Sequence, residues 1–441
     1  MTGRADWDVI VAGAGPGGSS IAALLAMAGK RVLVVERETF PRFHIGESLL
    51  PASGLIQSLL GIEPRPEDFF FKRGAQFIDE STGRVQTFDF AEALPGPQRF
   101  AWHVERARFD KLLRDRAEEL GAVLRHRFEV EDVEADASGV RVRIRALDAS
   151  AGGSDGASGS APEAGSVHAP RGEPIVEHGR YFIDATGQDR FLARKHGSGR
   201  SLERFGRAAV FTHFAGLSPA AQAEIAPHND IRVVIIPDGW LWGIPLTGNR
   251  LSVGMVKRTP GLRRSDLDAY LETSPLFGRL LSGAERLQTR MVSNFSFENE
   301  QASGLRYACV GDSACFIDPV FSSGVSLAIL RAVEVSKRLL PALDEQREGD
   351  PLLMAAMENE TKRAYETFAS LVYRFYNTHF IDNMLFGAPE EGRFRAGVIS
   401  VLAGDVFRDD NPFQDMLLRS RRHAIRTTPA AEAGPPPVAT S

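Results

Sequence analysis

Three short segments of this 441-residue chain carry residue types whose spacing can do chemistry. Lys72 follows Phe69-Phe-Phe71, and an ammonium held among aromatic rings is partly desolvated, which lowers its pKa. The plainer alternative is a surface lysine at a strand start. Ser322-Ser323-Gly324 stands before a helical pattern and offers backbone N–H groups to an anion. A simple helix-capping turn has the same composition. Trp240-Leu-Trp-Gly-Ile-Pro245 uses two of the four tryptophans of the chain two residues apart. On a strand both rings project from one face, and Pro245 should end or bend that strand. Such a pair is either a wall beside a site or ordinary core packing.

A fourth segment reads as a phosphate cradle. Gly13-Ala-Gly-Pro-Gly-Gly18 follows the apolar run Val9-Ile-Val11 and precedes Ile21, Leu24 and Leu25 at helical spacing. Gly13 permits the tight turn, Gly15 lets the backbone approach a pyrophosphate, and Gly18 lets helix and strand pack closely. Glu36 closes the next apolar strand, Arg31-Val-Leu-Val-Val-Glu36, where its carboxylate can take the hydroxyls of a ribose. NAD and FAD both satisfy this pattern.

These residues need a scaffold of some size, and the length implies two or three domains. The apolar content of 43% and charged content of 25% are those of a soluble globular protein. The net charge of −5, without basic tracts, argues against a nucleic-acid partner. No apolar stretch is long enough for a membrane span and no signal peptide is apparent. Cys309 and Cys315, the only cysteines, lack metal-ligand spacing and read as buried thiols in a reducing cytoplasm.

The expected fold is α/β: a Rossmann-type dinucleotide-binding domain, an inserted β-sheet substrate domain and a C-terminal helical region. The first comprises 1–50, 100–190 and 303–345, the second 51–99 and 191–302. A helical lid follows over 346–423. Val140, Val142 and Ile144 alternate with arginines, as in a half-buried strand. Residues 149–174, rich in Ala, Gly, Ser and Pro, are expected to be a disordered insertion, and 424–441 a disordered tail. The aromatic patch from Phe368 to Phe386 is either a pocket lining or helical core.

Later segments resemble known flavoproteins. Ile183-Asp-Ala-Thr-Gly187 and Gly311-Asp312-Ser313 resemble the second and third flavin motifs of class A flavoprotein monooxygenases, which favours FAD. Asp312 would bond the ribityl chain, and the helix after Gly324 would aim its positive end at the flavin ring. Arg106, in Val104-Glu-Arg-Ala-Arg-Phe-Asp110, resembles the cofactor-contacting arginine of that group, a solvated helix-face arginine being the alternative. More specifically, the chain resembles a flavin-dependent halogenase from Asp8 to about Leu402. The resemblance rests on Phe40-Pro-Arg-Phe-His-Ile-Gly-Glu-Ser48, Phe71-Lys-Arg-Gly-Ala75, Trp240 to Pro245, and Phe316-Ile-Asp-Pro-Val-Phe-Ser-Ser-Gly324.

That resemblance implies a reaction. FAD, reduced by a separate flavin reductase, reacts with O2 and halide to give hypohalous acid, which travels to Lys72 and halogenates an electron-rich arene there. It further implies chloride or bromide at Ser323 and Gly324, cofactor contacts at Ser48, Gly311 and Val325, and a partition formed by Trp240, Trp242 and Pro245. Where tryptophan halogenases carry a glutamate, Phe321 stands. The pattern therefore resembles the phenol and pyrrole halogenases, some of which act on substrates tethered to a carrier protein. Two other readings use the same residues: a flavin monooxygenase that needs no halide, and a flavin-binding scaffold without turnover. No second dinucleotide fingerprint follows position 190, so no stable NAD(P)H site is expected.

Overall fold

The computed structural model describes residues 6–96, 99–147, 173–202, 205–206, 208–227, 229–377, 379–387 and 392–419. The expected disordered insertion, apart from residues 173–174, and the expected disordered tail lie outside the described residues.

The first sheet is built on five parallel strands in the spatial order Tyr307–Cys309, Ile175–Asp184, Trp7–Ala12, Val32–Glu36 and Val123–His126. Its central strands are continuous apolar runs because both faces are covered. Helices Pro16–Met27, Arg106–Glu119 and Ser323–Asp344 share one core with Val9, Val34 and Ile183. The helix of the glycine loop begins at Pro16, earlier than its apolar spacing from Ser19 onward indicates. Proline fits there because first-turn N–H groups have no intrahelical acceptor. Gly29, at φ +75°, closes the same helix. An antiparallel ribbon, Phe128–Ala135 with Val140–Ala146, joins the first half of Ile175–Asp184. Val140, Val142 and Ile144 are buried on it, as their alternation indicates.

The second sheet is mostly antiparallel. Ala208–Ala215, Arg250–Lys257, Gly239–Leu246 and Ile231–Ile236 lie in that order, and Gly74–Asp79 continues the sheet in parallel. The pleat of Gly239–Leu246 divides its side chains between two cores. Leu241 packs with Val234 and Val253 beneath helices Pro219–Ile225, Arg264–Thr273 and Pro275–Leu280. Trp240, Trp242 and Ile244 face the helices Ala355–Asn377, Arg393–Leu402 and Pro412–Arg419.

Pro245 does not end the strand. Gly239–Leu246 runs one residue beyond it, with Pro245 opposite Leu251. Pairing with Ile231–Ile236 has already stopped at Gly243, so at Pro245 the strand has become an edge. An edge is where a residue without an N–H is tolerated. The aromatic patch is mainly core: Phe368, Phe375 and Phe380 are buried in the cluster that holds both tryptophans.

Candidate active site

The glycine loop sits at the carboxyl ends of the parallel strands, where open α/β sheets bind ligands. Gly13 has φ +95°, and a Cβ there would lie 2.4 Å from the Ala185 carbonyl oxygen. A Cβ on Gly18 would come within 2.0 Å of the Gly13 oxygen. Both positions exclude side chains for packing reasons. Gly15 caps Pro16–Met27 with no side-chain bond, and the Arg42 guanidinium lies beside it. Glu36 is buried; its Oε2 accepts the Ala14 N–H at 2.7 Å and its Oε1 the Glu38 N–H at 2.8 Å. The carboxylate therefore shapes the loop, with lone pairs remaining for a ribose.

The other flavin-motif segments converge on this edge. The Val310 N–H and Ser313 hydroxyl both donate to the Asp184 carbonyl oxygen, at 2.8 and 2.6 Å. Gly311, at φ +73°, turns the chain so that Asp312 accepts from Gln188 Nε2 at 2.9 Å. Arg106 is buried, in place of the solvated alternative, and clamps Asp110 through Nε and Nη2 at 2.7 and 2.9 Å. Its Nη1 donates to the Ile45 carbonyl at 2.7 Å, and a Cβ on Gly46 would touch both Arg106 and Val325. Ser48 is buried with its hydroxyl unpartnered. A helix N-terminus, a free hydroxyl and two arginines are a donor set that fits a flavin dinucleotide. A cleft of about 200 Å³ opens beside Arg106, lined also by Phe43, Glu47, His213 and Arg250.

Lys72 closes the strand Phe70–Lys72, paired antiparallel with Ala101–His103. Alternation sends Phe71 outward, 40% exposed, and Lys72 inward, 1% exposed. Its Nζ donates to the Leu49 carbonyl at 2.8 Å and lies 5.2 Å from the Phe90 ring centroid. Burial lowers its pKa to about 7, opposed by Asp230. The surface-lysine reading is thereby removed. His103 shares the inner face, its Nε2 2.9 Å from the Asn229 carbonyl. Burial, followed by the Lys72 charge, holds its pKa well below the usual imidazole value.

Trp240 and Trp242 are 1% and 4% exposed, with ring centroids 5.7 Å apart on one face of the strand. Trp242 Nε1 donates to Ser252 Oγ at 3.1 Å and Trp240 Nε1 to the Tyr376 hydroxyl at 2.9 Å. They share a packed cluster with Phe90, which touches Lys72, and with Phe321, which stands two residues before Ser323. The helix begins at Ser323 itself, so Ser323 and Gly324 belong to its first turn instead of preceding it. Ser322, at φ +56°, caps it without a side-chain bond. First-turn N–H groups lack intrahelical acceptors, which leaves donors for an anion.

The segment Ser48–Ser53 ties these parts together. Ser48 pairs with His103, the Leu49 carbonyl holds Lys72, and Ser53 Oγ bonds Ser326 Oγ at 2.6 Å in the helix behind Gly324. Sequence reasoning assigned nothing to Asp318, Tyr376, His103 or the Glu47–His213 pair at 2.7 Å. Asp318 and Glu47 lay inside quoted segments and Tyr376 inside the aromatic patch, but without a role of their own; for His103 and His213 no local pattern pointed inward.

This fold and donor set define an FAD-dependent oxidoreductase with a buried amine, Lys72, beside the aromatic cluster. The family model described as tryptophan halogenase matches residues 8–98 and 91–390. A pyrrole-2-carbonyl-[peptidyl-carrier protein] chlorinase of Pseudomonas fluorescens is 28% identical over 91% of this chain and 90% of its own length. Tryptophan 2-halogenase of Chondromyces crocatus is 31% identical over 90% of this chain and 73% of its own. Among solved structures, the myxobacterial chondrochloren halogenase CndH is 30% identical, with a TM-score of 0.67 over 93% of this chain and 92% of that one. The flavin-dependent brominase Bmp2, at 24% identity, shares the fold with a TM-score of 0.77 over 94% and 98%. The chain belongs to the tryptophan halogenase family and is a flavin-dependent halogenase, using FAD, O2 and halide. No helix among the described residues is long and apolar enough to cross a membrane.

Proposed function

We propose that this enzyme halogenates an electron-rich phenol or pyrrole, free or tethered to a carrier protein. Lys72 relays the halogen, Ser323 and Gly324 hold chloride or bromide, and Trp240, Trp242 and Pro245 form the partition. Gly13, Gly15, Gly18, Glu36, Ser48, Arg106, Gly311, Asp312 and Val325 hold the cofactor. The observation that carries this reading is Lys72: a fully buried amine, bonded to one carbonyl, with a pKa near neutrality. Near pH 7 a large share of it carries a lone pair able to accept a halogen, and the ammonium form can donate a hydrogen bond to the oxidant. Bound reduced FAD supplies, with O2 and halide, the hypohalous oxidant.

The burial of Lys72 beside Phe90 excludes bulk water, into which the oxidant would otherwise be lost and by which a halogenated amine would be hydrolysed. The indoles contribute bulk and no proton transfer. Phe321, buried in their cluster, supplies no carboxylate to stabilise an indole intermediate, which favours rings activated by their own oxygen or nitrogen. The pyrrole-carrier relative supports the same class. A separate flavin reductase is the proposed source of electrons. The cytoplasm, where the buried thiols Cys309 and Cys315 stay reduced, is the proposed location.

The test incubates the protein with FAD, a flavin reductase, NADH, bromide and a phenol probe. Brominated product should form and fall on the order of a hundredfold in Lys72→Ala while flavin oxidation persists. Oxygenated product formed equally with and without halide would instead select a monooxygenase.

A further inference from the structure

One polar chain crosses the core between the anion-binding turn and the tryptophan face, and its direction is fixed by chemistry. The Trp240 indole N–H can only donate, so the Tyr376 oxygen accepts from it at 2.9 Å. The single Tyr376 hydroxyl proton then goes to Asp318 Oδ2, at 3.1 Å. That carboxylate also accepts the Gly206 N–H on Oδ2 at 2.7 Å and the Val320 N–H on Oδ1 at 2.9 Å. Val320 belongs to the short turn Pro319–Phe321 that leads through Ser322 into Ser323–Gly324. A side chain on Gly206 is excluded by the same arrangement: its Cβ would lie 2.6 Å from Asp318 Oδ2 and 3.3 Å from the Tyr376 hydroxyl.

The chain joins three distant parts of the sequence. Asp318 lies just before the helix of the halide turn, Tyr376 near the end of Ala355–Asn377, and Trp240 on the sheet. Arg258 secures the middle member, donating to the Tyr376 carbonyl at 3.2 Å and to Asn377 Oδ1 at 2.6 Å. Trp242 is anchored differently, to Ser252 on the adjacent strand. Thus only Trp240 of the two rings is tied to the turn. A buried indole whose one polar atom is held this way has a single favoured orientation.

We propose that Asp318 and Tyr376 are positioning residues that lock the Trp240 ring to the halide turn, so that oxidant formed beside the turn is delivered to Lys72 and does not escape. This rests on the halogenase reading above and adds a determinant of how tightly the oxidant is retained. Neither residue needs to touch substrate. Losing the lock changes where the oxidant goes before it changes how fast it is made.

The experiment compares wild type, Tyr376→Phe, Trp240→Phe and the double variant as FAD-loaded full chains. Two quantities are read per flavin oxidised: brominated phenol, and free hypobromite captured by a β-diketone trap in solution. Each single variant is expected to lower the product share about fivefold, the scale of one buried hydrogen bond, with a matching rise in trapped hypobromite. The double variant should be no worse than Tyr376→Phe alone, because that change already breaks both the Trp240–Tyr376 and the Tyr376–Asp318 links. An unchanged product share in either single variant, or additive losses in the double, would overturn the lock. Should Tyr376→Phe fail to bind FAD, Asp318→Asn, which weakens the same chain without changing the bulk of the indole wall, decides the question. Absence of product from the wild type would overturn the halogenase reading first, and the lock with it.

Discussion

Lys72 shows how one side chain acquires a function from its surroundings. On a free chain it would be a permanent cation; with its pKa lowered to about 7 by burial it becomes a neutral amine across much of the physiological range. Halogenation through a neutral amine should therefore rise with pH through about 7 and level above it. Lys72→Arg, charged at every pH, should lose the product while flavin oxidation continues, as measured by parallel product and oxygen-consumption assays. The same shift affects stability. The folded pKa lies below the unfolded value of 10.5, so between pH 7 and 10.5 the unfolded chain binds more protons and folding strengthens as pH rises. Below pH 7 the penalty for burying the charge is present in full, on the order of a few kcal/mol at about 1.4 kcal/mol per pKa unit. Lys72→Met should accordingly melt higher than wild type at pH 6.5, with the gap closing toward pH 9.5. A gap independent of pH would show that Lys72 is not the titrating group.

At the scale of elements, the turn from Pro319 to Gly324 does two jobs in six residues. Asp318 caps the short turn through Val320, and Ser322 takes a left-handed conformation uncommon for a non-glycine residue. Strain of this kind concentrates at functional sites. Gly324 follows because the Phe316 ring edge would lie 2.9 Å from a Cβ there. Gly324→Ala must displace that ring and the first helical turn with it. The expected result is a bromide KM raised roughly tenfold, equivalent to about 1.4 kcal/mol, with a smaller loss of FAD affinity because Val325 lies in the same turn. Steady-state rates against bromide concentration and a flavin titration check this, and an unchanged KM would remove the halide from this turn. The strand Gly239–Leu246 shows the complementary economy: its pleat gives Leu241 to the core under Pro219–Ile225 and Pro275–Leu280, and both tryptophans to the core of the C-terminal helices.

For the molecule as a whole, the sequence carries one glycine fingerprint, and the proposal that follows is a single dinucleotide site, for FAD. Oxidised holoenzyme mixed with NADPH in a stopped-flow cell should show no fast flavin bleaching. Rapid reduction would mean that the enzyme feeds itself electrons and needs no separate reductase. Much of this protein is legible in local sequence. The phosphate loop was readable because a tight turn, a close backbone approach and a packed helix each demand glycine at a set spacing. The two tryptophans were placed on one face by the period of a strand, and Val140, Val142 and Ile144 by the same rule. Other features were invisible there, since they depend on contacts between residues far apart in the chain. Lys72 could be weighed as surface or buried from its neighbours, but only the pairing of Phe70–Lys72 with Ala101–His103 turned it inward onto Phe90. Of the two expectations for Pro245, to end or to bend its strand, the first fails, because a strand becomes an edge that tolerates proline only when its partner stops. Arg106 looked equally suited to solvent until Asp110 and the Ile45 carbonyl enclosed it. The sequence by itself determined the loop and the faces, because these follow from backbone geometry and residue type, while the kind of chemistry came from its resemblance to the flavin-dependent halogenases. Tertiary structure alone decided the burial that lowers the Lys72 pKa and the hydrogen-bonded chain from Trp240 to Asp318, because desolvation and side-chain polarity arise only when separate segments meet.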